Sequence, residues 1–392
     1  MITFIFIAVS LSIFWCDYKA YCRIITDKSQ RKIWHLISIA ILDALHFVVG
    51  GITFLFVKDN SQIMMGITSW ILTIYTATTI ARLAFYAGWF TIKNRVVATI
   101  VGSILCAIIL YIFGNGIINT RTDLTVKRVE IKSENIPDSF CGFRILFFSD
   151  LHIGAMVNPQ KEIPRLIDKI AEQNADMIIF GGDLVHIRHD ELKPEIIASL
   201  SKIKAPHGVY TVLGNHDTGT YVKDSISLPR HENIAHFNTK IGQAGWRLLR
   251  DSTIYAVKGT DSIAVTGIDF TDALLEYKHS FSSPETFEAA EIFAHIPDSL
   301  FNIAISHLPQ LWHNIKDNNL AELTLSGHVH ATQIAVECFG VRLSPAMLMY
   351  KEWSGLYQDS GSSLYITDGI GCVGFNMRIG AKPEITVIEL SR

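Results

Sequence analysis

Apolar and polar positions follow one rule before residue 120 and another after it. Before it, apolar residues run in long blocks, from Ile2 to Cys16, Ile33 to Val57, Ile63 to Ala81 and Val96 to Ile118. The last three are long enough for helices that cross a hydrocarbon core, which takes about 20 residues. The first is shorter and has the length of a signal-peptide apolar region. No basic residue precedes it, however, and Cys16-Asp17-Tyr18 is not a small-x-small cleavage site. The pattern predicts four transmembrane helices, over about 2–18, 33–57, 63–81 and 96–118. It divides the chain into a membrane region, 1–119, and a second domain, 120–392.

Charge in the loops orients these helices. Lys19, Arg23, Lys28, Arg31 and Lys32 lie between the first two, and Arg82, Lys93 and Arg95 between the last two. The loop between the second and third has only Lys58. The positive-inside rule then makes the two basic loops cytoplasmic, with the domain after residue 120 on the outer side. The second helix carries His35, Asp43 and His46, which fall within an arc of roughly 80° at 100° per residue. Two readings stand for these groups, a functional site in the membrane or hydrogen bonding across the bundle.

After Arg121 short apolar runs rich in β-branched and aromatic residues alternate with amphipathic segments, as in a mixed α/β domain. "FRILFFSD", "ADMIIFGGD", "GVYTVLGNHD", "SIAVTGIDF", "FNIAISH", "AELTLSGH", "SSLYITDG" and "EITVIEL" read as strands. "KEIPRLIDKIAEQN", "EIIASLSKI" and "LWHNIKDNN" read as helices. Neither a repeat nor a low-complexity stretch interrupts the domain.

Composition sharpens this division. The 392 residues are 49% hydrophobic and 18% charged, against about 25% charged in an average soluble domain; the apolar helices dilute the charge. A formal net charge of -3 gives no basic footprint for nucleic acid. Six cysteines form no C-x-x-C pair, and Cys141, Cys338 and Cys372 of the second domain read as buried thiols.

The chemistry follows the strands. Asp150 and His152 come after one apolar run, Asp183 after the next, then Asn215 and His216, then His307, then His328 and His330. Ligands of open α/β sheets bind outside the carboxyl ends of strands. Gly181, Gly182, Gly214 and Gly327 sit where tight turns and close approach need a residue without Cβ. Carboxylate and imidazole together suit divalent Mn, Fe or Zn. The donors exceed the needs of one ion, whereas two ions sharing a carboxylate use them all.

The series Asp150-x-His152, Gly182-Asp183, Gly214-Asn215-His216-Asp217, His307 and Gly327-His328-x-His330 resembles the calcineurin-like metallophosphoesterase superfamily. "SDLHIG", "SHLPQL" and "LYITDGIG" with "MRIGAKPEITVIEL" are similar to its membrane-associated bacterial YkuE/YaeI-like branch. The resemblance covers about residues 124–392. It implies a four-layer αββα sandwich and a dinuclear phosphoesterase that attacks phosphodiesters or phosphomonoesters with a metal-bridged hydroxide. By the same resemblance Asp150, His152 and His330 hold one ion, Asn215, His307 and His328 the other, and Asp183 bridges them. His216 is implied beside the scissile phosphate, as a stabiliser of the phosphoryl group or a general acid. Asp217 is left to orient His216 or its backbone turn.

The chain departs from the branch where Ala331-Thr332-Gln333 replaces Gly-Gly-Gln, crowding the lip of the site. His186 and His189 read as exposed loop histidines. The expected enzyme is a multi-pass protein of a bacterial cell membrane, with an outward catalytic domain and phosphate esters that are lipid-linked or from the envelope. Two alternatives stand beside it. One is a pyrophosphatase for a nucleotide-diphospho-lipid such as UDP-2,3-diacylglucosamine. The other is a sensor or transport module with an inactive phosphoesterase domain.

Overall fold

The structure, a computed structural model, describes residues 2–25, 27–33, 35–41, 43, 62–277 and 289–392. The chain divides into two units. One comprises Met1–Ile117 with Gly374–Asn376, the other Ile118–Val373 with Met377–Arg392.

The first unit contains the helices α1 (Ile2–Ile24), α2 (Gln62–Thr91) and α3 (Arg95–Ile118). Residues 35–41 are helical too, and most of the expected helix over 33–57, with His46, lies outside the described residues. Among the described residues one stretch, Arg95–Thr122, is long and apolar enough to cross a membrane, with a mean hydropathy of 2.7. Val96, Ile100, Ile104, Ile108 and Tyr111 point away from the protein on α3, a surface suited to lipid. Helix α2 continues past the expected end at Ala81, through Arg82, to Thr91. It does so because Arg82 is neutralised: its guanidinium donates to Asp17 and, over 2.7 Å, to Asp43. Asp43 thus bonds across the helices, as the bundle-facing reading expects.

The second unit is a mixed α/β sandwich of two six-stranded sheets. In the first sheet β1 (Thr125–Lys132) pairs parallel with β14 (Glu384–Ser391), which runs antiparallel to β2 (Arg144–Phe148). From β2 the sheet continues in parallel through β3 (Met177–Phe180), β4 (Val209–Thr211) and β5 (Arg247–Leu248). In the second, β6 (Ser252–Lys258) pairs antiparallel with β7 (Asp261–Gly267), followed in parallel by β8 (Asn302–Ile305), β9 (Leu323–Ser326) and β13 (Ser362–Ile366). Strand β12 (Gly355–Asp359) closes that edge antiparallel to β13.

Strand side chains alternate between two interiors. Ile145 and Phe147 of β2 point between the sheets, where they meet Ile303, Ile305, Leu323, Leu325 and Tyr365. Leu146 and Phe148 point outward and pack with Ile163, Leu166 and Ile170 of α4 (Pro159–Ala171). On the other outer face Trp312 of α5 (Leu311–Asp317) packs with Leu364 and Ile366. Strands covered on both faces carry unbroken apolar runs, and each such side chain contributes about 1.5–3 kcal/mol on burial. Every strand and helix expected in this unit forms. The cysteines differ: only Cys372 is buried, while Cys141 and Cys338 are exposed. Cys141 precedes the turn at Gly142, and Cys338 belongs to a hairpin, β10 (Val336–Cys338) and β11 (Val341–Leu343), outside both sheets.

Candidate metal centre

Strands β2, β3 and β4 run parallel, as do β8 and β9, so their carboxyl ends deliver side chains to one edge. Asp150 and His152 follow β2, Asp183 follows β3, Asn215 and His216 follow β4, His307 follows β8, and His328 and His330 follow β9. All eight predicted residues converge there, seven fully buried and His328 half-buried. The chain turns sharply to deliver them. Asp150, His152, Asp183, His328 and His330 all have positive φ, between 45° and 71°. Non-glycine residues rarely adopt this conformation, which costs roughly 1–3 kcal/mol each. The flanking glycines answer to space: a Cβ on Gly214 would run into the Asp183 carboxylate, and one on Gly327 into Ser149 and Asp150.

Two clusters result. In the first, His330 Nε2 lies 3.1 Å from Asp150 Oδ1, and His152 Nε2 faces His330 Nε2 at 3.2 Å. In the second, Asn215 Oδ1 lies 3.1 Å from His307 Nε2 and 2.8 Å from His328 Nδ1. Asp183 Oδ2 stands between them, 3.6 Å from His152 Nε2 and 3.3 Å from His307 Nε2. Asp150, His152 and His330 are close enough to share one cation, and so are Asp183, His307 and His328.

The electrostatics fit a cation. Burial opposes the charge on Asp183, but His307, His216 and His152 outweigh it and hold the carboxyl well below its usual range. Burial likewise opposes protonation of His307, yet Asp183 pushes it up to about 9. The cluster therefore draws positive charge, whether a proton or a metal ion. Burial and the neighbouring His216 keep His152 neutral, so its ring offers lone pairs. His307 Nδ1 donates to Gly181 O over 2.8 Å, which leaves Nε2 free to coordinate. Buried, strained, oxygen-and-imidazole donors aimed at one another fit divalent ions better than they fit one another.

His216 sits beside the first cluster with its ring 4.7 Å from that of His152. The ring is sandwiched: Tyr221 stacks on one side at 4.0 Å and His186 at 5.2 Å. His216 Nδ1 donates to His186 O over 2.5 Å, which leaves Nε2 as the nitrogen outside that bond. The Tyr221 hydroxyl accepts from Asn215 Nδ2 at 2.5 Å, which turns the amide oxygen toward His307 and His328.

Asp217 orients backbone rather than the His216 ring. Its carboxylate accepts from the N–H groups of Asp183, Leu184, Val185 and Gly214 at 2.7–3.1 Å, clasping the loops after β3 and β4 together. Burial and the Asp183 charge push it up to about 7, against the pull of the Gly214 and Val185 N–H groups and of His307. Glu191 makes a second clasp, accepting from Gly154, His186 and Ile187 at 2.6–2.9 Å.

The histidines of the Asp183 loop differ from expectation. His186 is half-buried, its Nδ1 is enclosed without a hydrogen bond, and its ring atoms lie within reach of His152 and His216. The loop folds back over the site because Glu191 gathers its N–H groups. His189 is half-buried away from the site, stacked on His236 at 4.8 Å and bonded to Asn233. Spacing from a strand end found neither His186 nor Tyr221, since both reach the site through the return of a loop.

The turn at Ala331-Thr332-Gln333 keeps the left-handed backbone that glycines favour, with φ of 47°, 48° and 62°. Beyond it Tyr350 places its hydroxyl 3.3 Å from His328 Nε2.

Comparison with known proteins agrees with this geometry. Residues 143–332 match the family model of calcineurin-like phosphoesterases. The Bacillus subtilis protein named uncharacterized metallophosphoesterase YkuE is 30% identical over 267 residues, 66% of this chain and 83% of that one. A Danio rerio protein named transmembrane protein with metallophosphoesterase domain is 27% identical over 71% of this chain, which spans 60% of its length. UDP-2,3-diacylglucosamine pyrophosphatase LpxG of Chlamydia trachomatis is 25% identical over 53% of this chain and 70% of its own.

Proposed function

The chain belongs to the calcineurin-like phosphoesterase family and is a phosphoric ester hydrolase, and on that premise we propose a membrane-anchored enzyme with two divalent ions. The observation that carries the reading is the position of Asp183 Oδ2 between two histidine clusters. Asp150, His152 and His330 would hold one ion and Asn215, His307 and His328 the other, with Asp183 placed to serve both. Bound there, the ions supply Lewis acidity and lower the pKa of coordinated water toward neutrality.

The chain's own residues do the rest. The ring stack and the His186 carbonyl fix His216 in one tautomer, with Nε2 turned to the substrate. Only when protonated, which burial of the ring opposes, does that nitrogen donate to a phosphoryl oxygen or deliver a proton to the departing alkoxide. The Asp217 and Glu191 clasps keep the loops at fixed separation, which in-line displacement at phosphorus requires. Asn215→Ala or His328→Ala in the purified full chain lowers bound metal from two equivalents to one by elemental analysis. Retention of two equivalents by both variants refutes the ligand assignment.

The apolar helices support anchoring, with four spans and the hydrolase domain outward by loop charge. A reporter fused after Arg392 is then active outside the cytoplasm; activity confined to the cytoplasm overturns the orientation. Anchoring favours phosphate esters carried by lipids or envelope polymers. Likeness to a pyrophosphatase of a diacylated nucleotide sugar supports diphosphate-linked lipid as the second substrate class. Turnover of mono-, di- and pyrophosphate esters with added Mn, Zn or Fe separates the two.

A further inference from the structure

The β10–β11 hairpin has its polarity inside out. Its register pairs Val336 with Leu343, Glu337 with Arg342 and Cys338 with Val341. Cross-strand pairs share a face, so Val336, Leu343, Cys338 and Val341 form one face and Glu337 and Arg342 the other. Arg342 is held on the domain, bonded to Asp368 and Ser354 with its guanidinium 5.5 Å from the Trp353 ring. The apolar face looks out: Val336, Val341 and Leu343 are 53%, 56% and 46% exposed.

The tip sharpens the anomaly. Phe339 and Gly340 occupy a two-residue turn with φ of 51° and 77°, positions that asparagine, aspartate or glycine normally fill. Phe339 is bulky, strained and 102% exposed, so it adds no packing to the domain. Met347 and Leu348, just beyond β11, are also exposed. A cleft of about 220 Å³ lined by Met347, Tyr350, Lys351 and Trp353 follows. Its Tyr350 wall touches His328.

We propose that this hairpin inserts into the lipid bilayer, so that Met347, Tyr350 and Trp353 line the path of a lipid-borne phosphate ester to the site. The inference rests on the anchored reading of the function. Lipid is the chosen occupant for two reasons on the chain itself. The apolar stretch that begins at Arg95 gives way to β1 at Thr125. The residues between Ile118 and β1 can span only about 20 Å, which ties the domain to the membrane surface. The hairpin's apolar face also has no charge for a protein partner to read, Glu337 and Arg342 both lying on the opposite face. An apolar patch beside a catalytic cleft is the usual mark of an interaction surface.

The test uses the full chain in phosphatidylcholine nanodiscs, which expose both membrane faces. An environment-sensitive fluorophore is attached at Phe339→Cys in a Cys141→Ser, Cys338→Ser background. The expected result is a blue shift relative to detergent, quenching by tail-spin-labelled lipid and loss of quenching by aqueous iodide. Iodide quenching equal in discs and detergent overturns the proposal. Protection from both quenchers overturns it too, because the hairpin is then covered by protein, either this chain's helices or a second copy. A chain that does not enter the discs overturns the anchoring reading first, and one that enters with its probe in water overturns the hairpin alone. As a second measure, Phe339→Asp with Leu348→Asp lowers turnover of phosphatidate in the discs and leaves a soluble aryl phosphate unchanged. Equal turnover of both substrates by variant and parent counts against insertion.

Discussion

Two polar clusters in this chain, one half-buried and one buried, solve opposite problems. In the helical unit, the Arg82 guanidinium stands between the carboxylates of Asp17 and Asp43. At the sheet edge, carboxylates and imidazoles collect with ring nitrogens facing each other and strained backbone beneath them. The first cluster carries its own cation, the Arg82 guanidinium that both carboxylates share. The second is incomplete without a cation, and folding alone does not account for it. The two clusters therefore differ in whether the chain itself supplies the cation its carboxylates face, and the one that collects carboxylates with imidazoles points to a ligand.

The largest effect comes from breaking the second cluster at its reactive edge. His216→Ala lowers kcat by about 10²- to 10⁴-fold, the range for a lost general acid, while both metal equivalents remain. Its counterpart, Arg82→Met, loosens the helical unit but leaves hydrolysis of a soluble aryl phosphate unchanged. Loss of metal from His216→Ala, or loss of soluble-substrate activity from Arg82→Met, removes the distinction between the clusters. Kinetics and elemental analysis on both variants decide it.

A smaller effect tests the frame instead of the chemistry. Asp217→Asn replaces a carboxylate that accepts four backbone N–H groups with an amide that has one acceptor oxygen. Leaving about two buried donors unpaired costs ~2–4 kcal/mol. The melting temperature of the full chain falls by several degrees, and kcat falls with it as the loops after β3 and β4 separate. An unchanged melting temperature means that Asp217 does not clasp these loops.

Much of the site was legible because each candidate ligand follows an apolar run that only a doubly covered strand explains. Asp150, Asp183, Asn215, His307 and His328 stand within a few residues of a strand end, so one-dimensional spacing located them. His186 and Tyr221 were not, since their loops return to the site through clasps at Glu191 and Asp217 that no periodicity encodes. The hairpin was missed for a related reason. Three-residue strands alternate too briefly to read, and Val336 and Val341 look like core until their register shows them facing out. The membrane helices were legible as apolar length, whereas their ends were not: the partners of Arg82 carried α2 past Ala81.

The smallest effect concerns strain that has no obvious reward. Thr332 is half-buried and β-branched, and holds a φ of 48° where relatives of the branch are expected to have glycine. Left-handed backbone costs an L-residue about 1–2 kcal/mol, and glycine gives back roughly 0.4–1 kcal/mol through the looser unfolded chain. Thr332 also keeps a 3.1 Å hydrogen bond to Ser344, half-buried and worth about 0.5 kcal/mol or slightly more. Thr332→Gly should thus be near neutral or stabilising by ~0.5 kcal/mol, a rise of about 1–2 °C in melting temperature. If the threonine serves to narrow the lip, the same variant lowers KM for bulky esters and leaves it unchanged for a small aryl phosphate. A clear drop in stability instead means that Thr332 is held by its contacts and its backbone is not strained.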